Sequence, residues 1–179
     1  MTRKRNPWRH IATRTVYENP WMRVEEHQVI NPAGNENLYG KVCFRNQAVG
    51  VVPLDGEGNT WLVGQHRYTL GAYSWEIPEG GSPEGETPVE TARRELEEET
   101  GLVAENFELL MRLHLSNSVT DEEGFVYVAR DLRPGRRHLD ETEDITTRKL
   151  PLGEAVDMVR RGEITDAMSV AALLRLAQE

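Results

Sequence analysis

The sequence predicts an α/β fold in which helices cover both faces of a mixed β-sheet, preceded by an antiparallel β-ribbon. Three observations support this prediction. Short apolar runs bounded by Gly, Pro and Asn turns fill the chain before residue 80, one strongly capped helix follows, and two amphipathic helical patterns close the sequence. Because helices and a sheet bury their apolar faces against each other, this order indicates an α/β/α sandwich.

The N-terminal ribbon is predicted from loosely alternating apolar segments at 15–17, 22–29 and 38–44. Turn residues separate these segments, with Asn19-Pro20 after the first and the stretch 31–35 after the second. We predict that residues 1–47 form this extension and that residues 48–179 form the main domain.

The main domain begins with two apolar runs, 48–53 and 60–65, around a Gly-rich loop, and this pattern predicts a β-hairpin. A further strand at 73–77 ends at Pro78. The remaining elements predicted beyond the central helix are strands at 107–115 and 124–129 and helices at 152–161 and 165–177.

The central helix has the clearest boundaries in the chain. Thr87 and Glu90 form a T-x-x-E capping box, Pro88 stands at the first helical position, and Gly101 is placed to end the helix. On a helical wheel the apolar residues share one side, and Glu95, Glu98 and Glu99 gather on a neighbouring side. We therefore predict about three helical turns that carry a cluster of carboxylates.

This carboxylate cluster has two interpretations. Most charged runs on helices are solvated faces. However, glutamates crowd the last turn, where the helix dipole is already negative and favours Lys or Arg by about 0.3–1 kcal/mol each. Helix stability therefore does not account for them. Three carboxylates on one face suit a hard divalent cation such as Mg²⁺, so we favour a metal site.

Charge is unevenly distributed along the chain. Residues 1–49 carry a net charge of +4, and the remainder carries −13, which gives the total of −9. An acidic main domain argues against a nucleic-acid surface, and an anionic substrate would approach it only with a cation in between. This distribution again indicates a metal ion.

Composition favours a cytoplasmic protein. The single cysteine, Cys43, lies in an apolar run and is expected to be a small core residue, which excludes a disulfide framework and a thiolate metal site. No apolar run approaches the ~18 residues of a membrane span, and no signal-peptide pattern is present at the start of the sequence. We expect one soluble chain that binds neither membrane nor nucleic acid.

Two residues outside the helix have open interpretations. Trp21 is either a packing residue or a platform for a purine ring. Arg67 is either a surface arginine or a phosphate contact, because a guanidinium pairs bidentately with phosphate oxygens.

The stretch 80–102 also resembles a family signature, the Nudix box G-x5-E-x7-R-E-U-x-E-E-x-G-U, in which U is aliphatic. Every position fits, in the residues Gly80, Glu86, Arg94, Glu95, Leu96, Glu98, Glu99, Gly101 and Leu102. The acidic segment 140–145 and the two closing helices are similar to the C-terminal half of bacterial ADP-ribose pyrophosphatases. The resemblance then spans the chain from about residue 16 to its end.

This resemblance implies an Nudix fold, a Mg²⁺ cofactor that Mn²⁺ could replace, and a homodimer paired through the N-terminal ribbon. The implied metal ligands are Glu95, Glu99, the Glu79 carbonyl, Glu98 and Glu143. The implied catalytic residues are Glu141 as the base, Glu98 as an alternative internal base, and Arg94. The implied substrate contacts are Arg67 at the diphosphate, Glu122 at the terminal sugar, Trp21 and Glu76.

The resemblance further implies hydrolysis of the diphosphate in a nucleoside diphosphate sugar. ADP-ribose is the leading substrate, but the proline that often marks the ADP-ribose subgroup is Asn117 here, so GDP-mannose stays an alternative. Nudix enzymes that hydrolyse nucleoside triphosphates tend to be shorter and lack the ribbon. A non-catalytic ADP-ribose sensor would require a damaged box, and this box is intact.

Overall fold

The polypeptide folds into two units, which the computed structural model describes over residues 5–139 and 144–178. The first unit contains the chain up to Asn46 together with His114–Glu122. The second contains Gln47–Leu113 and the chain from Glu123 onward.

The first unit is a three-stranded antiparallel sheet, which confirms the predicted ribbon. Its strands are β1 (Arg9–Glu18), β2 (Met22–Ile30) and β3 (Glu36–Phe44), in the spatial order β1-β2-β3. The segment His114–Glu122 lies against β3, where the Val42 N–H donates to the Val119 carbonyl at 2.9 Å and Lys41 pairs with Asp121 at 2.6 Å. The sheet begins earlier than the sequence pattern predicted, because the mostly polar stretch from Arg9 to Arg14 also pairs with β2.

The second unit contains two sheets and three helices, which confirms the predicted mixed α/β architecture. Its strands are β4 (Gln47–Pro53), β5 (Asn59–Arg67), β6 (Ala72–Glu76), β7 (Glu79–Ser82), β8 (Leu102–His114), β9 (Glu123–Pro134) and β10 (Thr146–Pro151). Its helices are α1 (Pro88–Thr100), α2 (Leu152–Arg160) and α3 (Ala167–Leu176). One sheet has the order β7-β4-β9-β8 and the other the order β10-β5-β6.

The predicted hairpin between β4 and β5 is wrong, because the two strands belong to different sheets. The turn itself forms, since Asp55 Oδ1 accepts the backbone N–H groups of Glu57 and Asn59 at 3.0 and 2.8 Å. Beyond one bridge between Leu54 and Thr60 the strands separate. β4 instead pairs with β7 antiparallel and with β9 parallel, which buries its valines in the middle of a sheet.

Two strands were missed by the sequence analysis, and both lack the apolar alternation of a typical strand. β7 contains Gly80 and Gly81 and was predicted as loop; it pairs with β4. β10 is mostly polar, with Thr146 through Lys149, and pairs with β5 at the edge of its sheet. Pairing with an existing neighbour, rather than intrinsic propensity, makes these segments strands.

A core under α1 holds the helix against the larger sheet. Ala92 and Leu96 of α1 are fully buried against Val49 and Val51 of β4 and Ala129 of β9. The apolar stripe predicted for the helix therefore packs as expected, and it fixes which side of α1 is turned away from solvent.

Candidate active site

Helix α1 has the ends that the sequence predicted. The Thr87 N–H donates to Glu90 Oε2 at 2.8 Å, as a capping box requires. Gly101 adopts a left-handed conformation with φ of 71°, and its N–H donates to the Glu97 carbonyl at 2.8 Å. These two caps set where the helix that carries the glutamates begins and ends.

Two of these glutamates are buried, so the cluster is not a solvated face. Glu95 is 6% exposed and Glu99 is 1% exposed. The Glu98 side chain is 23% exposed and lies at the rim. Removing a carboxylate from water costs free energy unless hydrogen bonds or cations compensate, so buried charges at these positions indicate a functional site.

The segment Glu79-Gly80 approaches α1 closely enough to contact both buried carboxylates. The Glu79 backbone N–H donates to Glu99 Oε2 at 2.9 Å. A Cβ atom added at Gly80 would lie 1.9 Å from Glu95 Oε1, so no larger residue fits there while Glu95 keeps its position. The first glycine of the box is therefore required by the room that the Glu95 carboxylate occupies.

Arg94 connects the carboxylates of the box to each other. Its guanidinium donates to Glu95 Oε1 at 2.7 Å, to Glu98 Oε2 at 2.8 Å and to Glu86 at 3.2 Å. Burial opposes its charge, but the hydrogen bond to Glu86 and the nearby carboxylates raise the pKa of Arg94 above its ordinary value. The same pairing lowers the pKa of Glu86. Arg94 thus orients three acids of the cluster.

A second buried group lies beside Glu99 and consists of Arg67, Glu76 and Glu79. Arg67 Nε donates to both Glu76 oxygens at 3.0 Å, and its Nη2 donates to Glu79 Oε1 at 3.0 Å. Burial opposes the Arg67 charge, yet these carboxylates raise its pKa. Arg67 and Glu76 are therefore hydrogen-bonded to each other, although both were predicted to contact substrate.

Glu79 is under-compensated in this group. Its Oε2 is buried and accepts no hydrogen bond from the described residues. Burial, with the negative charges of Asp166 and Glu76, raises the pKa of the Glu79 carboxyl well above its usual range. The carboxylates around Glu79 carry more negative charge than the Arg67 guanidinium neutralises. A bound cation would compensate for this excess negative charge.

The donor chemistry of the cluster fits a hard divalent cation, because Glu79, Glu95, Glu98 and Glu99 offer carboxylate and carbonyl oxygens. Within residues 5–139 and 144–178, however, no group of three or more acidic, histidine or cysteine side chains is already arranged to hold a metal. Arg94 lies among the oxygens of Glu95 and Glu98 instead. A cation that binds there must replace part of this ion pairing.

The sequence analysis missed two basic residues beside the cluster. His138 Nε2 lies 3.3 Å from Glu98 Oε1, and Arg137 Nε donates to the Glu99 carbonyl at 2.8 Å. Their proximity results from the chain returning along the end of α1 after β9. The only sequence signal was the run Arg136-Arg137-His138 directly before an acidic stretch.

Four predicted site residues are not among this group. Trp21, which is 70% exposed, and Glu122 belong to the N-terminal unit. Burial raises the pKa of Glu122. Glu141 and Glu143 lie outside the described residues. The structure thus brings together Arg67, Glu76, Glu79, Arg94, Glu95, Glu98 and Glu99 within the second unit.

Matches to protein-family models identify the family to which this arrangement of residues belongs. Residues 44–173 match the model of the NUDIX domain. The chain belongs to the Nudix hydrolase family. Residues 8–42 match a second family model, the nucleoside diphosphate sugar hydrolase N-terminal domain. The resemblance recognised in the box is therefore confirmed. This Nudix protein is a pyrophosphatase, which is an enzyme that hydrolyses phosphoric anhydrides. Nudix hydrolases generally use divalent metal ions for this reaction.

Several known proteins are similar to this Nudix hydrolase along most of its length. It is 35% identical to the ADP-ribose pyrophosphatase of Mycobacterium tuberculosis over 169 residues, which cover 92% of this chain and 80% of that protein. It is 37% identical to the methanol dehydrogenase activator of Bacillus methanolicus over 165 residues, which cover 91% and 89%. The fold matches the crystal structure of an ADP compounds hydrolase with a TM-score of 0.87 at 24% identity, covering 99% of this chain and 96% of that one.

Among the described residues of this Nudix hydrolase, no helix is both long and apolar enough to cross a bilayer.

Proposed function

We propose that this Nudix hydrolase cleaves the diphosphate of a nucleoside diphosphate sugar, with ADP-ribose as the preferred substrate and AMP and ribose 5-phosphate as products. The observation that carries the proposal is the match of residues 8–42 to the nucleoside diphosphate sugar hydrolase N-terminal domain. The similarity to an ADP-ribose pyrophosphatase over nearly the whole chain favours ADP-ribose within that class.

The proposed cation ligands are the carboxylates of Glu95, Glu98 and Glu99, the Glu79 carbonyl and Glu143. Burial of Glu95 and Glu99 supports this role, because it fixes both carboxylates before substrate arrives. When bound, Mg²⁺, or Mn²⁺ in its place, would neutralise charge on the diphosphate and acidify a water molecule. Each of these ligands offers oxygen, which both ions prefer.

The remaining roles belong to the polypeptide. We assign proton removal from the attacking water to Glu141, and Glu98 is the alternative base. Water adds to one phosphorus, the P–O–P bridge breaks, and the leaving phosphate oxygen takes a proton. Arg94 orients Glu95 and Glu98, because its guanidinium donates to both carboxylates.

Because Arg67 and Glu76 are hydrogen-bonded to each other, only part of the Arg67 guanidinium is left for the substrate in this proposal. Nε and Nη2 of Arg67 donate to Glu76 and Glu79, so its Nη1 is the group that we assign to the diphosphate. Glu76 holds the guanidinium plane fixed for that contact. We assign Trp21 to the base and Glu122 to the terminal sugar.

The alternative functions differ in the nucleotide that the protein hydrolyses or binds. GDP-mannose or another nucleoside diphosphate sugar would use the same cluster with a different base contact. A triphosphate pyrophosphohydrolase is disfavoured by the match at residues 8–42. A non-catalytic sensor of ADP-ribose is disfavoured by an intact box.

A substrate panel tests the proposal. With Mg²⁺ present, ADP-ribose or another nucleoside diphosphate sugar should give the highest kcat/KM among nucleotide sugars and triphosphates, and chelation by EDTA should abolish turnover. Product analysis should show the nucleoside monophosphate and the sugar phosphate. The assignment is wrong if dGTP or a modified triphosphate is hydrolysed about a hundredfold better.

We also propose that the N-terminal unit pairs two copies of the chain. Its three strands expose six large apolar side chains: Ile11, Val16, Tyr17, Leu38, Tyr39 and Phe44. Trp8 and Trp21, which directly precede β1 and β2, are exposed as well. Such a thin sheet does not bury its own apolar surface, and a large exposed apolar surface marks an interaction site. A second copy, related by a two-fold axis, is the partner that we propose.

Light scattering tests this pairing. At micromolar concentration the measured mass should be twice the 20.4 kDa of one chain. A chain carrying both Ile11→Arg and Leu38→Arg should shift toward the single-chain mass, because two buried guanidinium groups without partners would oppose association. A single-chain mass for the unaltered protein would rule the pairing out.

A further inference from the structure

Helix α1 ends in an unfavourable electrostatic environment. Glu97, Glu98 and Glu99 occupy its last turn, and no basic residue of the helix lies there. The helix dipole places roughly half a negative charge at this end, and the last carbonyl groups have no partners within the helix. Donors from another part of the chain must therefore stabilise the turn that carries Glu98 and Glu99.

The segment Gly135–His138, which we name the return segment, supplies those donors. The Gly135 N–H donates to the Gly101 carbonyl at 2.7 Å, and the His138 N–H donates to the Glu98 carbonyl at 3.2 Å. The Arg136 N–H donates to Glu97 Oε1 at 3.1 Å. Backbone N–H groups of the return segment thus donate to three residues at the end of α1.

Arg137 makes the contacts that reach furthest. Its Nε donates to the Glu99 carbonyl at 2.8 Å, and its Nη2 donates to the Ile145 carbonyl. The same Glu99 carbonyl accepts the Thr147 hydroxyl at 3.2 Å. One guanidinium therefore joins the end of α1 to the chain that enters β10.

The location of Glu99 explains why this junction matters. Its carboxylate is buried and accepts the Glu79 N–H, so its side chain has little freedom to compensate for a shift of its own backbone. Gly101 contributes to the fit, because a Cβ there would lie 3.2 Å from Arg137 Cβ. A displacement of the Glu99 carbonyl therefore moves the Glu99 carboxylate.

We propose that Arg137 is a positioning residue that holds Glu99, and Glu98 beside it, in the geometry for cation binding. This inference rests on the proposed function, because it takes Glu98 and Glu99 as ligands. In this role Arg137 acts through the main chain and not on the diphosphate: within residues 5–139 and 144–178, both hydrogen bonds of its side chain go to main-chain carbonyls. Partners that orient metal ligands typically contribute about 10–100-fold to metal affinity or activity.

The direction in which divalent-cation affinity changes separates a positioning role of Arg137 from a simple electrostatic effect. Arg137→Met removes a positive charge near the carboxylates, and on charge alone it should tighten binding of a divalent cation. Loss of positioning should instead weaken binding. Arg137→Lys keeps the charge but removes the planar fork that spans two carbonyls, so it should weaken binding to an intermediate extent.

The experiment measures Mn²⁺ binding by electron paramagnetic resonance of the free ion, in the full-length protein without substrate. We expect about tenfold weaker binding in Arg137→Met, about threefold weaker in Arg137→Lys, and no change in Arg130→Met. Arg130 is a suitable control because it is exposed on β9 and makes no side-chain hydrogen bond or ion pair within the described residues. In turnover assays kcat should fall about tenfold in Arg137→Met, with KM for the sugar nucleotide within about threefold.

Two results would overturn the proposal. One is Mn²⁺ binding by Arg137→Met that is unchanged or tighter while its melting temperature falls, because Arg137 would then only stabilise the fold. The other is a rise in KM without a change in kcat or Mn²⁺ affinity, which would make Arg137 a substrate contact. If Arg137→Met does not fold, Arg137→Lys decides in the same way. Failure of the sugar-nucleotide panel would leave the Mn²⁺ result unaffected, so the two failures are distinguishable.

Discussion

Replacing Glu99 by glutamine should lower kcat/KM for the preferred sugar nucleotide by more than about 10²-fold and weaken the dependence on Mg²⁺ together with it. A neutral amide does not offset the charge of the ion. The amide oxygen can still accept the Glu79 N–H, so the fold around it should persist. Glu95→Gln should behave in the same way, because Glu95 is also buried in the cluster.

The measurement is a titration of turnover with Mg²⁺, with circular dichroism to confirm folding. Glu108→Gln is the matched control, since Glu108 is exposed on β8 and should keep wild-type kinetics. A folded Glu99→Gln protein with wild-type turnover and unchanged Mg²⁺ half-saturation would show that Glu99 is not a ligand.

Glu141→Gln should separate binding from chemistry. If Glu141 is the base, kcat should fall about 10²–10⁴-fold while the affinities for substrate and metal stay close to wild type, because only proton removal is lost. Single-turnover kinetics and Mn²⁺ binding measure these two quantities independently.

Glu143→Gln and Glu98→Gln complete this comparison. Wild-type turnover by Glu141→Gln together with a collapse in one of the other two would assign the base to that residue. If the acidic segment were only a surface turn, Glu141→Gln and Glu143→Gln would each change kcat by less than about twofold.

The elements that sequence analysis predicted well are those determined by neighbouring residues. The boundaries of α1 depend on Thr87, Glu90 and Gly101, all within or next to the helix. The N-terminal sheet depends on short turns between consecutive strands. Strand partners in the second unit depend on residues far apart in the chain, and the hairpin prediction for β4 and β5 was wrong for this reason.

The same distinction holds for the site. Spacing along α1 was sufficient to select Glu95, Glu98 and Glu99, because helical geometry fixes their relative positions. It was not sufficient to show that Arg67 pairs with Glu76 and Glu79, which depends on how β5, β6 and β7 are arranged. Arg137 was missed because its acceptors, Glu99 and Ile145, become neighbours only after the chain has returned along the helix.

The position of β4 between β7 and β9 has a consequence for synthesis of the chain on the ribosome. Ala48 pairs with Gly124, so β4 emerges long before its parallel partner is made. The N-terminal sheet has all three strands early, whereas Val49, Val51 and Val52 stay on an unpaired edge until β9 has been translated. Pairing between distant segments closes slowly, and unpaired apolar edges favour association with other chains. Between translation of β4 and of β9, the nascent chain therefore has an open apolar edge, a feature that favours aggregation of incompletely folded proteins.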